Sequence, residues 1–474
     1  MIDLNQPNRY IETERSFYKN LLIMALPLAA QNLITMGVNL VDNMMLGALG
    51  ETAMSAATLA NHYISLFQYA MMGIAMGSSV LTARFWGAAD LRALRRTVTI
   101  ALRFALALSA ALTIATALFA RQIMGLYTGE TDVVSGGVSY LLWSLPTFLL
   151  TGLATVLTNV LRSVGKTKIP FLASLAAFSV NIGANYLFIF GKLGFPAMGV
   201  AGAALGTVTA RILETGIIAF CFFVSDKDIQ YKVRDFFGKC GDLLGEYLRI
   251  SLPVLISDGL LGVGDNLLAV IMGHIGASFV AAASITAITQ RVSTIFISSM
   301  SFASCFMIGQ VLGEGDLERA RKQGNTFFFL GVIVGLLAAG IIQLLCNPIL
   351  HFYKITEDTK AITVALMNAI SIIVVFRATN SVLTKGVLRG GGDTRFLMVA
   401  DVIFQFIVAA PLGALAGLVW QLPPFWVYFC LYSDQVLKAI LCVFRLKSGK
   451  WIKKISGSEP EPIQEKQLQG GATS

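Results

Sequence analysis

The sequence predicts an all-α polytopic membrane protein: twelve transmembrane helices in two six-helix lobes related by a pseudo-two-fold axis along the membrane normal. Three observations predict it. The 474-residue chain is 55% apolar and 13% charged, with a mean hydropathy of +0.71. Soluble chains average about 25% charged residues, and half of that cannot coat a surface of this size. Apolar runs of the length a bilayer demands, about 20 residues, recur twelve times, and the second six repeat the first.

The runs of the first lobe fall at 21–47, 54–83, 97–120, 134–160, 169–190 and 199–224. Those of the second fall at 247–273, 277–309, 325–346, 361–387, 396–418 and 423–446. Lipid offers no partner for backbone polar groups, so each run is expected to be a helix. The chain then divides into an N-terminal segment 1–20, a first lobe 21–224, a linker 225–246, a second lobe 247–446 and a tail 447–474. The linker is the only long charged loop, and the polar tail reads as disordered.

Placement explains the net charge of +9. Of 36 Lys and Arg, 28 cluster at the span ends that share a face with the termini; only Arg121, Lys192, Lys354 and Lys360 sit in opposite-side loops. Positive residues stay inside, so both termini are expected in the cytoplasm of a plasma (inner) membrane protein, and no nucleic acid is needed to explain the basicity. The N-terminus is polar and carries acids, unlike a cleavable signal. Six scattered cysteines and three histidines form neither a disulfide nor a metal framework. No nucleotide, haem or catalytic-triad pattern appears, so neither an enzyme nor a cofactor is expected.

A shift of 226 residues aligns Leu26-Pro27 with Leu252-Pro253, Gly50 with Gly276, and Gly87, Asp90 and Arg95 with Gly313, Asp316 and Arg321. After one residue of slippage LRSVGKTK (161–168) meets LRGGGDTR (388–395), read as matching inter-helix turns. Six spans per repeat make the halves parallel, with a substrate path between them. Pro27 and Pro253 each free one carbonyl and permit a bend. Gly202-x-x-x-Gly206 signals close helix packing.

Charges within spans need a partner, water or a function. Arg211 with Glu214 (i,i+3) and Asp434 with Lys438 (i,i+4) can pair locally, and Asp401 is close enough to a span end to reach water. That leaves Asp42 as the only formal charge in the first lobe's membrane region. It shares a helix face with Asn39 and Asn43, while Asn181 and Asn185 (i,i+4) share one face of span 5, in its outer half. A carboxylate among carboxamides suits a proton or a small hard cation such as Na⁺ at Asp42, Asn181 and Asn185. The second lobe carries Asp258 and Asp265 on one face of span 7, with Arg291 and Arg377 on spans 8 and 10. These read either as inter-helical ion pairs or as a substrate wall, and Arg377 is expected to be neutralised by Asp265 or Asp258.

At these residues the chain resembles the multidrug and toxic compound extrusion (MATE) family, through LPLAAQNLITMGVNLVDNMMLGALG (26–50), LRSVGKTKIP (161–170), NIGANYLFIFGKLGFPAMGVAGAALGT (181–207) and VLTKGVLRGGGDTRF (382–396). The resemblance implies two lobes around a central cavity that alternates between membrane faces. It also implies H⁺- or Na⁺-driven antiport of amphipathic, often cationic compounds. The family's span 1 aspartate falls on Asp42 and its span 5 cation positions on Asn181 and Asn185. Leu261 stands where many members carry a span 7 glutamate and Ala378 where some carry a span 10 acid, which throws the coupling role onto Asp42. A lipid-linked saccharide flippase of the same wider superfamily is the alternative. The expected partners are the bilayer and small amphipathic substrates, and a monomer is expected.

Overall fold

The computed structural model describes residues 11–352 and 355–454. In the first lobe α1 (Arg15–Gly47), α2 (Glu51–Gly87) and α3 (Leu91–Tyr127) are long single helices. The fourth span breaks at Ser144 into α4 (Thr131–Trp143) and α5 (Leu145–Ser163), just before Pro146. A proline has no N–H to continue the ladder and restricts the residue before it. The lobe ends with α6 (Lys168–Phe190) and α7 (Val200–Phe220), the latter prolonged by a π turn to Ser225.

The second lobe holds α8 (Gly241–Ile275), α9 (Ala277–Gly313), α10 (Leu317–Phe352) and α11 (Glu357–Ser381), which continues through π-helical Val382–Leu388. Next come α12 (Thr394–Val402) and α13 (Ala410–Ala414), joined into one span to Val419, and then α14 (Pro424–Leu431) and α15 (Ser433–Lys447). Eleven segments among the described residues are long and apolar enough to cross a membrane. The pair α14 and α15, bent by 45°, makes the twelfth.

The repeat is visible in atomic detail. The α8, α9 and α10 helices start 226 residues after α1, α2 and α3. Asp90 caps α3 by accepting the Ala93 N–H at 2.9 Å, and its mate Asp316 caps α10 by accepting the Arg319 N–H at 2.9 Å. Gly165 and Gly392 both hold φ +86° in the paired turns, a conformation that a β-carbon penalises. The one-residue slip in the repeat falls where Val382–Leu388 adopts the wider π winding, while α5 stays α-helical.

We call the end carrying the turns at 88–90, 164–167, 314–316 and 391–393 the basic face. The lobes meet in the half nearest it. The Tyr247 hydroxyl on α8 donates to the Ile74 carbonyl on α2 at 3.0 Å. Asn32 Nδ2 on α1 donates to Ser299 Oγ on α9 at 3.1 Å. Gln310 Nε2 donates to the Ser163 carbonyl at 2.6 Å. Toward the opposite face α1 and α8 present exposed Asn39, Asn43, Asp265 and Asn266. Lipid does not accept such groups, so these stretches border a water-accessible cleft.

Three boundaries shift. The first helix begins at Arg15, inside the N-terminal segment, where the Glu12 N–H donates to Thr326 Oγ1 at 2.8 Å and the Phe17 ring lies 5.2 Å from that of Phe327 on α10. The linker folds against α3, where Arg95 Nε donates to the Ile229 carbonyl at 2.7 Å, and its last residues already belong to α8. The start of the tail is ordered: Trp451 is fully buried and the Lys453 N–H donates to the Gly391 carbonyl at 2.9 Å. The rest of the tail, 455–474, lies outside the described residues.

Candidate functional site in the first lobe and the cleft wall of the second

Asp42 sits about 40 Å along α1 at 1.5 Å per residue, well beyond Pro27, through which α1 runs as a continuous helix. Its Oδ1 accepts from Asn185 Nδ2 on α6 at 2.5 Å. The same Nδ2 lies 3.4 Å from Asn181 Oδ1, and both asparagines are buried. Asp42 makes no ion pair among the described residues. What fixes the pair is the close approach of α7 to α6. A Cβ at Gly206 would overlap Asn185 Oδ1, and one at Gly202 would overlap the Phe188 carbonyl. The two glycines therefore seat Asn185 against Asp42.

Residues that the sequence reading passed over complete the site. The Tyr140 hydroxyl on α4 donates to Asn61 Oδ1 on α2 at 3.3 Å, and it faces Thr207 and Asp42. A cavity of about 80 Å³, lined in part by Asn39, Asn181, Thr207, Arg211 and Glu214, lies alongside. Arg211 and Glu214 pair at 2.6 Å. A polar chain leads on toward the basic face: Ser174 Oγ donates to Glu214 at 2.8 Å, Gln31 to Ser174 at 2.7 Å, and Arg162 to Gln31 at 2.5 Å. Asn43 is exposed at the cleft. No signal marked Tyr140, Asn61 or Thr207, because uncharged polar residues inside apolar runs look like ordinary helix-packing groups.

The second lobe pairs its charges differently from expectation. Asp258 takes both amino groups of Arg389, at 3.2 and 3.0 Å. Arg389 belongs by sequence to the loop after span 10, but the helix persists through it and buries it. Arg377 has no acid partner among the described residues; its guanidinium carbon lies 5.1 Å from the centroid of the Tyr432 ring. Asp265 is exposed, near Arg377 and Lys385 but ion-paired with neither. Asp401 does not reach water. It is buried, accepts from Ser257 Oγ at 2.5 Å, and joins Lys438 at 3.3 Å, while Lys438 also holds Asp434 at 2.9 Å. Arg291 is exposed on α9 and ion-paired with nothing described. Pro253 lies within continuous α8.

Two parallel helical lobes, sealed together at one face and diverging around a cleft with polar and acidic side chains on its walls, define a multi-pass membrane transporter. The MatE family model matches residues 27–187 and 253–415, one segment in each lobe, and the chain belongs to this family of multidrug efflux transporters. It is 26% identical over 439 residues, covering 92% of this chain and 93% of the relative, to a probable multidrug resistance protein NorM of Thermotoga maritima. It is 25% identical over 465 residues to the multidrug resistance protein MdtK of Yersinia pseudotuberculosis, covering 94% and 97%. Among solved structures, an outward-facing multidrug resistance MATE transporter superposes with a TM-score of 0.82 at 18% identity, covering 91% of this chain and 96% of that one. The Vibrio cholerae transporter VcmN in its bent form gives 0.83 at 17% identity, covering 92% and 97%.

Proposed function

We propose that the protein is a proton-coupled antiporter that exports amphipathic small molecules from the cytoplasm by alternating access. The carrying observation is Asp42, a carboxylate without an ionic partner, held at 2.5 Å by a buried carboxamide. A Na⁺ ion wants oxygen ligands on all sides, whereas Asp42 is a single carboxylate beside two carboxamides. A proton needs only the carboxylate. The excess of Lys and Arg at the basic face supports placing that face and both termini in the cytoplasm of the plasma (inner) membrane. Contacts sealing the lobes there correspond to a state open to the outside. Protonation from outside would then accompany substrate release, and the ion gradient is the only energy source this reading uses. One chain contains both lobes and the whole cleft, so a monomer suffices.

The test is efflux of amphipathic dyes of either charge from proteoliposomes under separately imposed H⁺ and Na⁺ gradients. An H⁺ gradient should drive export and Asp42→Asn should abolish it, with normal expression and melting. Export driven only by Na⁺, or undiminished in Asp42→Asn, overturns the reading.

A further inference from the structure

We propose that the cleft binds the anionic group of its substrate, a carboxylate, sulfonate or phosphate carried on an apolar body, at Arg291 and Lys385. This rests on the exporter reading above and names its substrate class. Where α1 crosses α9 and faces the π-helical end of span 10 there is a cavity of about 310 Å³, within the range of small-molecule sites. Arg291, Lys385, Asn32, Ser298 and Ser381 line it with polar groups, and Phe302 contributes an apolar wall. No carboxylate lines it.

The two bases differ from the buried bases of this lobe. Arg389 is matched to Asp258 and Lys438 to Asp401 and Asp434, whereas Arg291 and Lys385 are ion-paired with no described residue. Arg291 lies about 21 Å along α9 at 1.5 Å per residue, near mid-membrane, where an uncompensated guanidinium is costly and therefore points to water or to a ligand. The nearby charges do not cancel the field. Asp265 is the only unpaired acid on this wall among the described residues, and the Arg377 and Lys385 charges that act on it outnumber it. Asp42 belongs to the other lobe and is engaged by Asn185. A guanidinium offers a planar fork to two oxygens of one anion, an ammonium adds a point charge, and hydroxyls supply further donors. Asn32 is tethered to Ser299 across the lobe boundary at 3.1 Å, so an occupant touches both lobes and is placed to report its presence to the closure.

The probes are 1-pyrenesulfonate and (1-pyrenylmethyl)trimethylammonium, matched in body and opposite in charge, titrated by fluorescence onto the purified full chain without any ion gradient. The sulfonate should bind at least tenfold more tightly. Arg291→Gln and Lys385→Gln should each weaken it about tenfold without changing affinity for the ammonium probe, and Arg291→Lys should retain most of it. Melting curves of the variants check that they fold. Equal or tighter binding of the ammonium probe, or sulfonate binding unchanged in both Gln variants, overturns the proposal. Competition by polyprenyl phosphate against pyrenesulfonate efflux separates the sources: displacement assigns the site to a lipid-linked phosphate, and its failure to a soluble amphiphile. Because binding is read without a gradient, a protein that binds the sulfonate but does not export it on a proton gradient refutes the coupling and leaves the anion site standing.

Discussion

Gly87 on α2 and Gly313 on α9 are repeat mates, and each abuts the other's helix three residues before the mate: Gly87 at the Gln310 carbonyl, Gly313 at the Arg84 carbonyl. The contact is reciprocal, so the pseudo-two-fold axis passes through this crossing, as in the self-complementary interface of a symmetric dimer. Arg84 then spans the junction, donating to the Lys453 carbonyl at 2.6 Å and to the Gly391 carbonyl at 3.3 Å.

Closure at the basic face therefore depends on bare backbone at two positions. Gly87→Val or Gly313→Val would drive a side chain into a main-chain carbonyl, which cannot swing aside, and should open this face. Spin labels at Arg92→Cys and Glu318→Cys, both exposed, in a chain with its six native cysteines replaced, would read the separation. The mean distance should lengthen by several ångströms in either valine variant. An unchanged distance distribution would refute the closure role.

Gly206 tests the proposed coupling role of the Asp42–Asn185 pair without touching Asp42. Gly206→Ala forces either α7 or Asn185 to move, an overpacking that costs about 1–3 kcal/mol. Proton-driven export should fall several-fold. Asn185→Ala should fall similarly, and the double variant should be no worse than the single ones, since both act through one hydrogen bond. Additive losses would show that Gly206 matters only for helix packing.

The buried cluster of Asp401, Lys438 and Asp434 is a structural keystone of the second lobe. Lys438→Met removes the only base among the described residues within ion-pair distance of either acid and leaves two buried carboxylates uncompensated. Breaking a buried pair costs about 3–5 kcal/mol. The variant should melt well below the parent, and adding Asp434→Asn with Asp401→Asn should recover much of the loss. Absence of recovery would mean that the lysine's packing, not its charge, is what counts.

Much of this architecture was legible because lipid allows few solutions. Span number, lobe division and the Gly, Asp and Pro repeat register follow from hydropathy and one alignment, and the Arg211–Glu214 and Asp434–Lys438 pairs follow from helix periodicity alone. Long-range partners did not. By hydropathy span 10 ends at 387 and leaves Arg389 in a loop, whereas the π winding carries helix through it and delivers its guanidinium to Asp258. Arg377 found an aromatic face rather than an acid, a choice that depends on the bend between α14 and α15. In the candidate site of the first lobe, the residue pattern marks Asp42, Asn181 and Asn185. It could not mark Tyr140 or Asn61, whose relevance comes only from α2 and α4 converging on α1.

The contrast between α1 and α8 leads to a prediction about how the cycle is driven. Both helices contain a proline at the same repeat position, yet their acids are held differently. Asp42 bonds only to a neutral carboxamide, whereas Asp258 is clamped by Arg389 through two hydrogen bonds. Protonating Asp42 removes the charge that strengthens its bond to Asn185 and lowers the cost of dry packing, so α1 should shift relative to α6 as the pH falls. Protonating Asp258 would leave a buried guanidinium unmatched, and Asp265, the other acid of α8, is exposed and tied to no other helix by an ion pair or hydrogen bond among the described residues, so α8 should hold its place. Labels at Met44→Cys and Tyr186→Cys report the first lobe, and Val270→Cys, at the repeat mate of Met44, with Ile407→Cys reports the second; all four sites are exposed. The Met44–Tyr186 distance should change between neutral and acid pH, the Val270–Ile407 distance should not, and the first change should vanish in Asp42→Asn. Movement of α8 alone, or an α1 shift that survives Asp42→Asn, would place the pH-sensitive element elsewhere.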